Sequence, residues 1–342
     1  MRTQAIVTLL RIPTLGGALA APEAPVITAP AAGSVATSLT PEITWSRSAT
    51  DLENGSTLYD VDVASNSDFS TIVQSTDNVN GTSWTVGAAL QMSYTVYYVR
   101  VVAHNAAGSA TSDSVTVRVD PRSLTKTFRY WDVNLSGLFT DEAGTTPATA
   151  GQAVANVDGL ENSIDMTSAA NQPTLTLTDA QLGKALAFGA TSYYATGVKL
   201  WLPQFDIFMV IAHSNLGAAR RLLGCTDNAN NMSFVSVTTF FFGLGTADFT
   251  GTENHSFAGT FANDTRYILR LSSNGSTLRA FANGTEITPS QAIGAGYGIV
   301  FDCFGLRNGG TYFAAGGRLS HLLICNSALT DEEASNVNSF LA

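Results

Sequence analysis

The last third of the chain is a series of short apolar segments separated by Asn-Gly pairs. Residues 267–271 (YILRL) lead to Asn274-Gly275, and residues 277–281 (TLRAF) lead to Asn283-Gly284. An Asn-Gly pair between two such segments predicts a β-hairpin, because the two-residue turn requires positive φ at both positions. The series predicts an all-β sandwich that displays loops at its strand ends.

The composition restricts the classes of partner. Of the 342 residues, 45% are hydrophobic, and no segment reaches the roughly 20 apolar residues that span a bilayer. Charged residues make up 13% of the chain, well below the roughly 25% of an average domain, so Ser, Thr, Asn and Gly must cover the surface. The net charge of -10 would repel a polyanion such as DNA. We therefore expect neither membrane insertion nor nucleic-acid binding.

The cysteines and histidines do not form a metal-binding pattern. Cys225, Cys303 and Cys325 are odd in number and far from a CxxC spacing, which argues against a zinc site and a disulfide framework. Cys303 and Cys325 lie in apolar segments, so buried, reduced thiols are expected. The four histidines (His104, His213, His255 and His321) are isolated in sequence.

The first 21 residues allow two interpretations. Residues 3–12 (TQAIVTLLRI) are rich in β-formers and could add a strand to a neighbouring sheet, which predicts a docking arm at residues 1–21. The alternative is a cleaved signal peptide, because a charged start and an apolar middle precede a small-residue stretch at 18–21 (ALAA). Arg11 and Pro13 interrupt the apolar stretch, and we expect the arm.

Residues 22–120 contain closely spaced strand-like segments. Residues 59–63 (YDVDV) alternate between apolar and acidic side chains, which predicts a half-buried strand with its acids outward. Trp45 and residues 97–108 (YYVRVVAHNAAG) resemble the strand-B tryptophan and the F-strand motif of fibronectin type III domains. The resemblance implies an immunoglobulin-like sandwich that serves as a spacer. It places four side chains in the core: Tyr97, Val99, Val101 and Ala103.

Two segments carry a second resemblance: residues 277–287 (TLRAFANGTEI) and the apolar segment 317–325, which precedes a short helical pattern. They make residues 121–342 similar to the laminin-G-like (concanavalin A-like) jelly roll. In the helical pattern, Thr330 and Glu333 have the spacing of a capping box. Residues 138–149 (LFTDEAGTTPAT) are similar to the opening of laminin-G-like domains in structural proteins of bacteriophages.

The chain carries no sequence motif of a known catalytic centre. It contains no Gly-x-Ser-x-Gly, His-Glu-x-x-His, P-loop or EF-hand pattern. Glycoside hydrolases of the concanavalin A-like fold carry paired carboxylates on one strand, whereas the strand carboxylate Asp206 stands alone here. We therefore expect a protein that is not an enzyme and that needs no cofactor.

Aromatic residues are the candidate ligand-binding groups. Glycan binding needs an exposed aromatic platform, and Tyr193, Tyr194 and Trp201 are the candidates, although all three flank apolar strands and core packing is the alternative. A structural calcium ion remains open for the laminin-G-like domain, with Asp227 and Asp248 in suitable loops.

The resemblances together imply a virion surface protein of a bacteriophage. In this interpretation residues 1–21 dock onto other virion proteins, residues 22–120 are a spacer, and residues 121–342 contact host-surface or environmental glycans. The protein would be a tail-associated fibre or a capsid decoration, present in many copies, with a homo-oligomer left open. The alternative is a secreted bacterial carbohydrate-binding or adhesin protein with a cleaved signal peptide.

Overall fold

The computed structural model describes residues 19–47, 57–160, 165–168, 171–216, 220–225, 231–287, 289–307, 311–313 and 316–342. Most of the predicted docking arm, residues 1–18, lies outside these ranges. The chain forms two compact units. The first comprises the residues up to Ser34 together with Thr40–Ala89 and Thr95–Val117, and the second comprises Val35–Leu39, Leu90–Tyr94 and Arg118–Ala342. The predicted domains, 22–120 and 121–342, differ from these units chiefly by the two short segments that belong to the second unit.

The strands before Pro121 form two antiparallel sheets in the described part of the chain. They are β1 (Val26–Ala29), β2 (Ser34–Val35), β3 (Glu42–Ser46), β4 (Leu58–Ala64), β5 (Ile72–Val79), β6 (Ser83–Thr85), β7 (Tyr97–Asn105), β8 (Gly108–Thr111) and β9 (Val115–Arg118). One sheet has the order β1-β3-β6, and the other has the order β2-β9-β7-β4-β5 with β8 paired to β7.

The core of the first unit follows the predicted alternation. Trp45 is buried, and its ring centroid lies 5.3 Å from that of Tyr59. The acids of β4 face outward, where Asp62 pairs with Arg100 at 2.9 Å and Asp60 with His104 at 3.1 Å. The four residues of β7 that were predicted to face inward are all buried: Tyr97, Val99, Val101 and Ala103.

The second unit holds the remaining elements. A 3-10 turn (Pro121–Ser123) precedes β10 (Thr127–Asp132), β11 (Leu138–Phe139), β12 (Asn156–Val157), β13 (Met166–Thr167), β14 (Thr174–Asp179), β15 (Gly183–Phe188), β16 (Tyr194–Leu202), β17 (Phe205–His213), β18 (Arg220–Gly224), β19 (Asn231–Ser236), β20 (Thr239–Thr246), β21 (Thr252–Ala258), β22 (Tyr267–Ser273), β23 (Thr277–Ala282), β24 (Thr285–Glu286), β25 (Gln291–Ala292), β26 (Tyr297–Phe304), β27 (Leu306–Arg307), β28 (Thr311–Tyr312), β29 (Gly317–Cys325) and α1 (Asp331–Leu341).

Two large antiparallel sheets enclose one apolar core in this unit. The sheet next to α1, which we name the helix-side sheet, has the order β14-β15-β29-β17-β22-β23-β24. The sheet that contains Trp201, which we name the Trp201-side sheet, has the order β11-β12-β13-β16-β26-β18-β19-β20-β21. Side chains from both sheets form the core cluster, among them Ile207, Leu271, Phe242 and Phe301. The prediction of an all-β fold built from sandwiches is confirmed.

Helix α1 begins with the predicted capping box. The Thr330 hydroxyl accepts a hydrogen bond from the Glu333 backbone N–H, and the Glu333 carboxylate accepts one from the Thr330 backbone N–H. The helix buries one face through four residues: Ala334, Val337, Phe340 and Leu341. In the described part of the chain, no helix is both long and apolar enough to cross a membrane.

The two Asn-Gly turns differ in geometry. Asn283 and Gly284 have φ angles of 50° and 79°, which is the predicted two-residue turn. At the other turn only Gly275 has a positive φ, of 90°. Asn274 instead uses its side-chain oxygen to accept the backbone N–H groups of Ser276 and Thr277, at 3.1 and 2.9 Å. The prediction of positive φ at both positions is therefore wrong for this turn, because an Asx turn fixes the loop.

All three cysteines are buried, reduced thiols, as predicted: Cys225, Cys303 and Cys325.

Candidate functional site

Trp201 lies on the outer face of the Trp201-side sheet. Its neighbours Leu200 and Leu202 belong to the core cluster, so the alternation of β16 turns the indole outward. Trp201 stands opposite Val300 of β26 and is partly exposed. Its indole N–H donates to the carbonyl oxygen of Gly245 at 3.1 Å. Because Gly245 lies on β20, beyond β26, the ring must extend across β26 along the surface of the sheet.

Glycines make room for this position of the ring. Gly245 of β20 pairs with Gly298 of β26, so neither strand projects a side chain there. A Cβ atom on Gly298 would lie 2.3 Å from the carbonyl oxygen of Leu202, which no backbone contact tolerates. Glycine at 298 therefore permits the close approach of β16 and β26 that fixes Trp201.

Lys199 lies on the same side of β16 as Trp201 and contacts the Phe249 ring. Lys199 precedes Trp201 by two residues and therefore points to the same side of β16. Its ammonium nitrogen lies 4.9 Å from the centroid of the Phe249 ring, within reach of a cation–π contact. We name the surface formed by Lys199, Trp201, Gly245, Phe249 and Gly298 the Trp201 face.

The structure separates the three predicted aromatic residues. Tyr194 is fully buried, and its hydroxyl donates to the carbonyl oxygen of Val154 at 2.9 Å. This corrects its assignment to a ligand platform, because no ring face is available to a ligand. Tyr193 is partly exposed but lies at the start of β16, whereas Trp201 lies near its end. Tyr194, the neighbour of Tyr193, pairs with Phe304 of β26, and Trp201 pairs with Val300. These partners are four residues apart along β26, which is roughly 13 Å at the usual rise of a strand.

Asp206 is held in an ion pair that the sequence pattern did not reveal. It is fully buried, and its two carboxylate oxygens accept hydrogen bonds from the Arg270 guanidinium at 2.6 and 3.1 Å. The Ser272 hydroxyl and the Leu329 backbone N–H also donate to it, at 3.2 and 2.6 Å. The sequence held one indication of this ion pair, because Arg270 is a charged residue within the apolar segment 267–271. With its lone pairs occupied and no solvent access, Asp206 has a structural role.

A second buried carboxylate, Asp132, also lies in a closed network. It accepts a hydrogen bond from the Tyr130 hydroxyl at 2.7 Å and lies 3.2 Å from Nε2 of His321. Burial opposes ionisation, but the hydrogen bond and the electrostatic attraction from His321, with the hydrogen bond from Tyr130, outweigh it and lower the pKa of Asp132. This arrangement resembles a buried ion pair more than a solvent-accessible catalytic pair.

Asp158 and Asp165 form a carboxylate pair that sequence reasoning missed. Burial, together with the negative charge of Asp165, raises the pKa of Asp158. Asp165 accepts hydrogen bonds from the Asn156 side chain and the Gly159 backbone N–H, at 3.3 and 3.1 Å. The signal was the acidic sequence segment 158–165 (DGLENSID). Neither acid belongs to the Trp201 face.

The calcium hypothesis gains no ligand set from the described residues. Asp227 lies outside the described ranges. Asp248 uses its side chain within its own loop, where it accepts the Thr246 hydroxyl at 2.5 Å and the Thr250 backbone N–H at 3.2 Å. Within the described ranges, no three His, Cys, Asp or Glu residues are grouped so that they could hold a metal ion. Calcium binding stays an open prediction.

Comparison with known proteins gives only distant structural similarities. No family model matches the chain, and no curated protein matches it. The CBM40 of the Ruminococcus gnavus IT-sialidase bound to α2,3-sialyllactose aligns at 15% identity and a TM-score of 0.38, over 46% of this chain and 96% of that one. Domain 4 of AbnA, a GH43 extracellular arabinanase from Geobacillus stearothermophilus in complex with arabinotriose, aligns at 16% identity and a TM-score of 0.39, over 64% and 98%.

A Trypanosoma rangeli sialidase in complex with sialic acid aligns at 11% identity and a TM-score of 0.42. The match covers 72% of this chain and 43% of that one, so the chain spans less than half of the sialidase. At these identities and TM-scores the similarities assign neither a family nor a ligand to the chain.

Proposed function

We propose that the second unit is a glycan-binding module and that the Trp201 face is its binding surface. The observation that carries the proposal is the partly exposed indole of Trp201, fixed on the outer side of β16 by its hydrogen bond to Gly245. An aromatic face carries partial negative charge and attracts the weakly positive C–H groups of a sugar ring. Lys199 adds a donor for ring hydroxyls at the edge of the platform.

We further propose that the module binds glycans without cleaving them. A glycosidase needs two carboxylates that flank the bond to be broken. Asp206 is occupied by Arg270, and Asp132 is closed off by Tyr130 and His321. Asp158 and Asp165 do not belong to the Trp201 face.

Replacing Trp201 with alanine should weaken binding of the full chain to the glycans that the Trp201 face recognises. We expect at least a tenfold loss of signal on an array of bacterial and animal oligosaccharides, with the protein displayed in many copies so that weak single contacts are detected. Leu177→Ala is the matched control, because Leu177 is an exposed apolar residue of the same unit. The array glycans should show no new reducing ends after incubation.

Two results would contradict the proposal. Equal binding by the Trp201→Ala and Leu177→Ala variants would show that the indole is not the platform. A loss on changing Tyr193 to alanine, with Trp201→Ala unaffected, would move the site to the start of β16.

We propose, finally, that the protein is displayed on the surface of a bacteriophage particle, as a tail-associated fibre or a capsid decoration. Support comes from residues 138–149, which are similar to the opening of phage laminin-G-like domains, and from the β-rich residues 3–12. Display in many copies suits a module whose single contacts are weak.

Deleting residues 1–21 should abolish incorporation into particles and leave both units folded. Particles purified from producing cells would be analysed by mass spectrometry, with circular dichroism of the isolated variant as the folding control. Full occupancy of the shortened protein would exclude an anchoring role for the arm. Recovery of a processed protein from the medium, and none in particles, would favour the secreted adhesin.

A further inference from the structure

A cleft of about 530 Å³ lies between α1 and the outer face of the helix-side sheet. We name it the helix cleft. This volume is within the range of small-molecule sites, roughly 300–1,000 Å³. The sheet contributes Arg266, Ile268, Arg270, Phe281, Asn283 and Gly284, and the helix contributes Asp331, Ala334, Ser335, Asn338, Ser339 and Ala342. The cleft is on the side of the sandwich opposite the Trp201 face.

Asn338 leaves an acceptor unsatisfied in this cleft. Its side-chain oxygen is buried and has no hydrogen-bond partner among the described residues. A buried acceptor without a partner destabilises the empty cleft, so a ligand that donates to it is favoured. The side-chain nitrogen of Asn338 approaches the Asn283-Gly284 turn, since it would lie 3.9 Å from a Cβ on Gly284.

The turn fixes Asn283 on the opposite wall. Its side-chain oxygen accepts the backbone N–H of Ile268 at 2.8 Å, which directs its amide hydrogens away from β22. Ser335 and Ser339 present exposed hydroxyls from α1, and Phe281 supplies an apolar surface. The amide and hydroxyl groups lie on facing walls, with the Phe281 ring beside them. Such groups suit a polyhydroxylated molecule, which forms hydrogen bonds on several sides.

The positive charges of the cleft are already paired or capped. Arg270 binds Asp206, and the neighbouring Arg279 binds Glu286 at 2.9 Å. Arg266 donates to the carbonyl oxygen of Leu341, where it caps the last turn of α1. With Arg270 neutralised by Asp206, and the charge of Arg266 offset by Asp331 in the same lining, the cleft has no net positive charge to attract an anion.

A smaller cavity of about 240 Å³ adjoins the cleft at Arg270, which lines both. Its other lining residues are mostly polar: Ser272, Asn274, Thr277, Arg279, Ala328 and Leu329. A ligand longer than one sugar ring therefore meets further hydroxyl and amide groups beyond Arg270.

We propose that the helix cleft binds a short neutral oligosaccharide, with a sugar hydroxyl donating to Asn338. The site is independent of the Trp201 face and would give the module two binding surfaces on opposite sides. Two sites on one module raise the avidity for a surface that carries many copies of a glycan.

The test uses the full chain on a Trp201→Ala background and an array of neutral plant, bacterial and animal oligosaccharides. We expect the Trp201→Ala variant to retain binding to a subset of them. Adding Asn338→Leu should weaken this remaining binding at least tenfold, whereas Asn326→Leu, at an exposed asparagine outside the cleft, should not change it. Ser335→Trp fills the cleft from the exposed side of α1 and should have the same effect as Asn338→Leu.

Circular dichroism and the thermal transition of each variant control for folding. With the strongest array oligosaccharide as the probe, amide shifts in an NMR titration should cluster at Asn283, Ser335 and Asn338. The proposal is overturned if the Trp201→Ala variant binds nothing, if Asn338→Leu and Ser335→Trp bind as well as their parent, or if the shifts lie elsewhere. If Trp201→Ala weakens binding to no array glycan and Asn338→Leu alone abolishes binding, the result would support the cleft and contradict the Trp201 face.

Discussion

At the scale of single residues, the buried polar groups mark the limit of sequence reasoning. The burial of Trp45 and of the inward side of β7 was predictable. Apolar residues that alternate with a period of two, and an aromatic residue in an apolar segment, both indicate side chains that face the core of a sheet. The partners of Asp206 and the burial of Tyr194 were not predictable. Arg270 comes 64 residues after Asp206, and nothing local specifies that β17 and β22 become neighbours. Burial of an aromatic residue depends on which side of a strand the sheet covers.

His213 shows how such a buried group influences stability. Its side chain is 1% exposed, Nε2 lies 2.7 Å from the carbonyl oxygen of Phe313, and Nδ1 lies 2.9 Å from the backbone nitrogen of Asn215. Because Nδ1 accepts that N–H, the ring is neutral. Burial, aided by the charges of Arg220 and Arg318, lowers the pKa of His213 to about 4.

Acid should therefore destabilise the second unit through His213. An unfolded histidine has a pKa of about 6.5. Between pH 6.5 and pH 4, His213 is therefore protonated in the unfolded chain and neutral in the folded chain. The contribution to stability is complete above pH 6.5 and is lost as the pH falls below it, by about 2 kcal/mol at pH 5. Urea unfolding of the wild type and of His213→Gln between pH 7.5 and 5 checks this. The variant should show a flatter dependence on pH, and parallel curves would contradict the assignment.

At the scale of elements, local sequence patterns predicted some helices, turns and strands and failed to predict others. The capping box of α1, the Asn283-Gly284 turn and the long strands β17 and β29 follow from signals within a few residues. Strand β5 (Ile72–Val79) escaped prediction because it pairs on one side only, with β4, and most of its residues are exposed. An edge strand without a buried face has no alternation to detect.

The segment that suggested a bacteriophage protein also has a local explanation. Within residues 138–149, Asp141 accepts the backbone N–H groups of Thr145 and Thr146 at 3.0 and 2.6 Å. These bonds lower the pKa of Asp141 to about 2. An aspartate that closes a turn over Gly144, which has a φ of 68°, accounts for the Asp, Gly and Thr positions through folding alone. The motif therefore supports a type of fold more directly than it supports a function.

At the scale of the whole molecule, the two units have separate apolar cores. The core cluster of the second unit contains residues from Trp131 to Ile324. The first unit packs around Trp45, Tyr59 and the inward residues of β7. Separate cores predict that damage to one unit leaves the other folded.

Truncating Trp45 to alanine tests this separation. Removing a buried tryptophan costs about 3–5 kcal/mol, which is a large share of the 5–15 kcal/mol by which a typical domain is stable. Calorimetry of the wild type should show two transitions, and the variant should lose or shift only the one that belongs to the first unit. Leu177→Ala, at an exposed position in the second unit, is the control and should move neither transition. Glycan binding by the Trp45→Ala variant should persist, because every residue of the Trp201 face belongs to the second unit. A single transition that shifts as a whole would show that the two units unfold together, and the distinction between spacer and binding module would then fail.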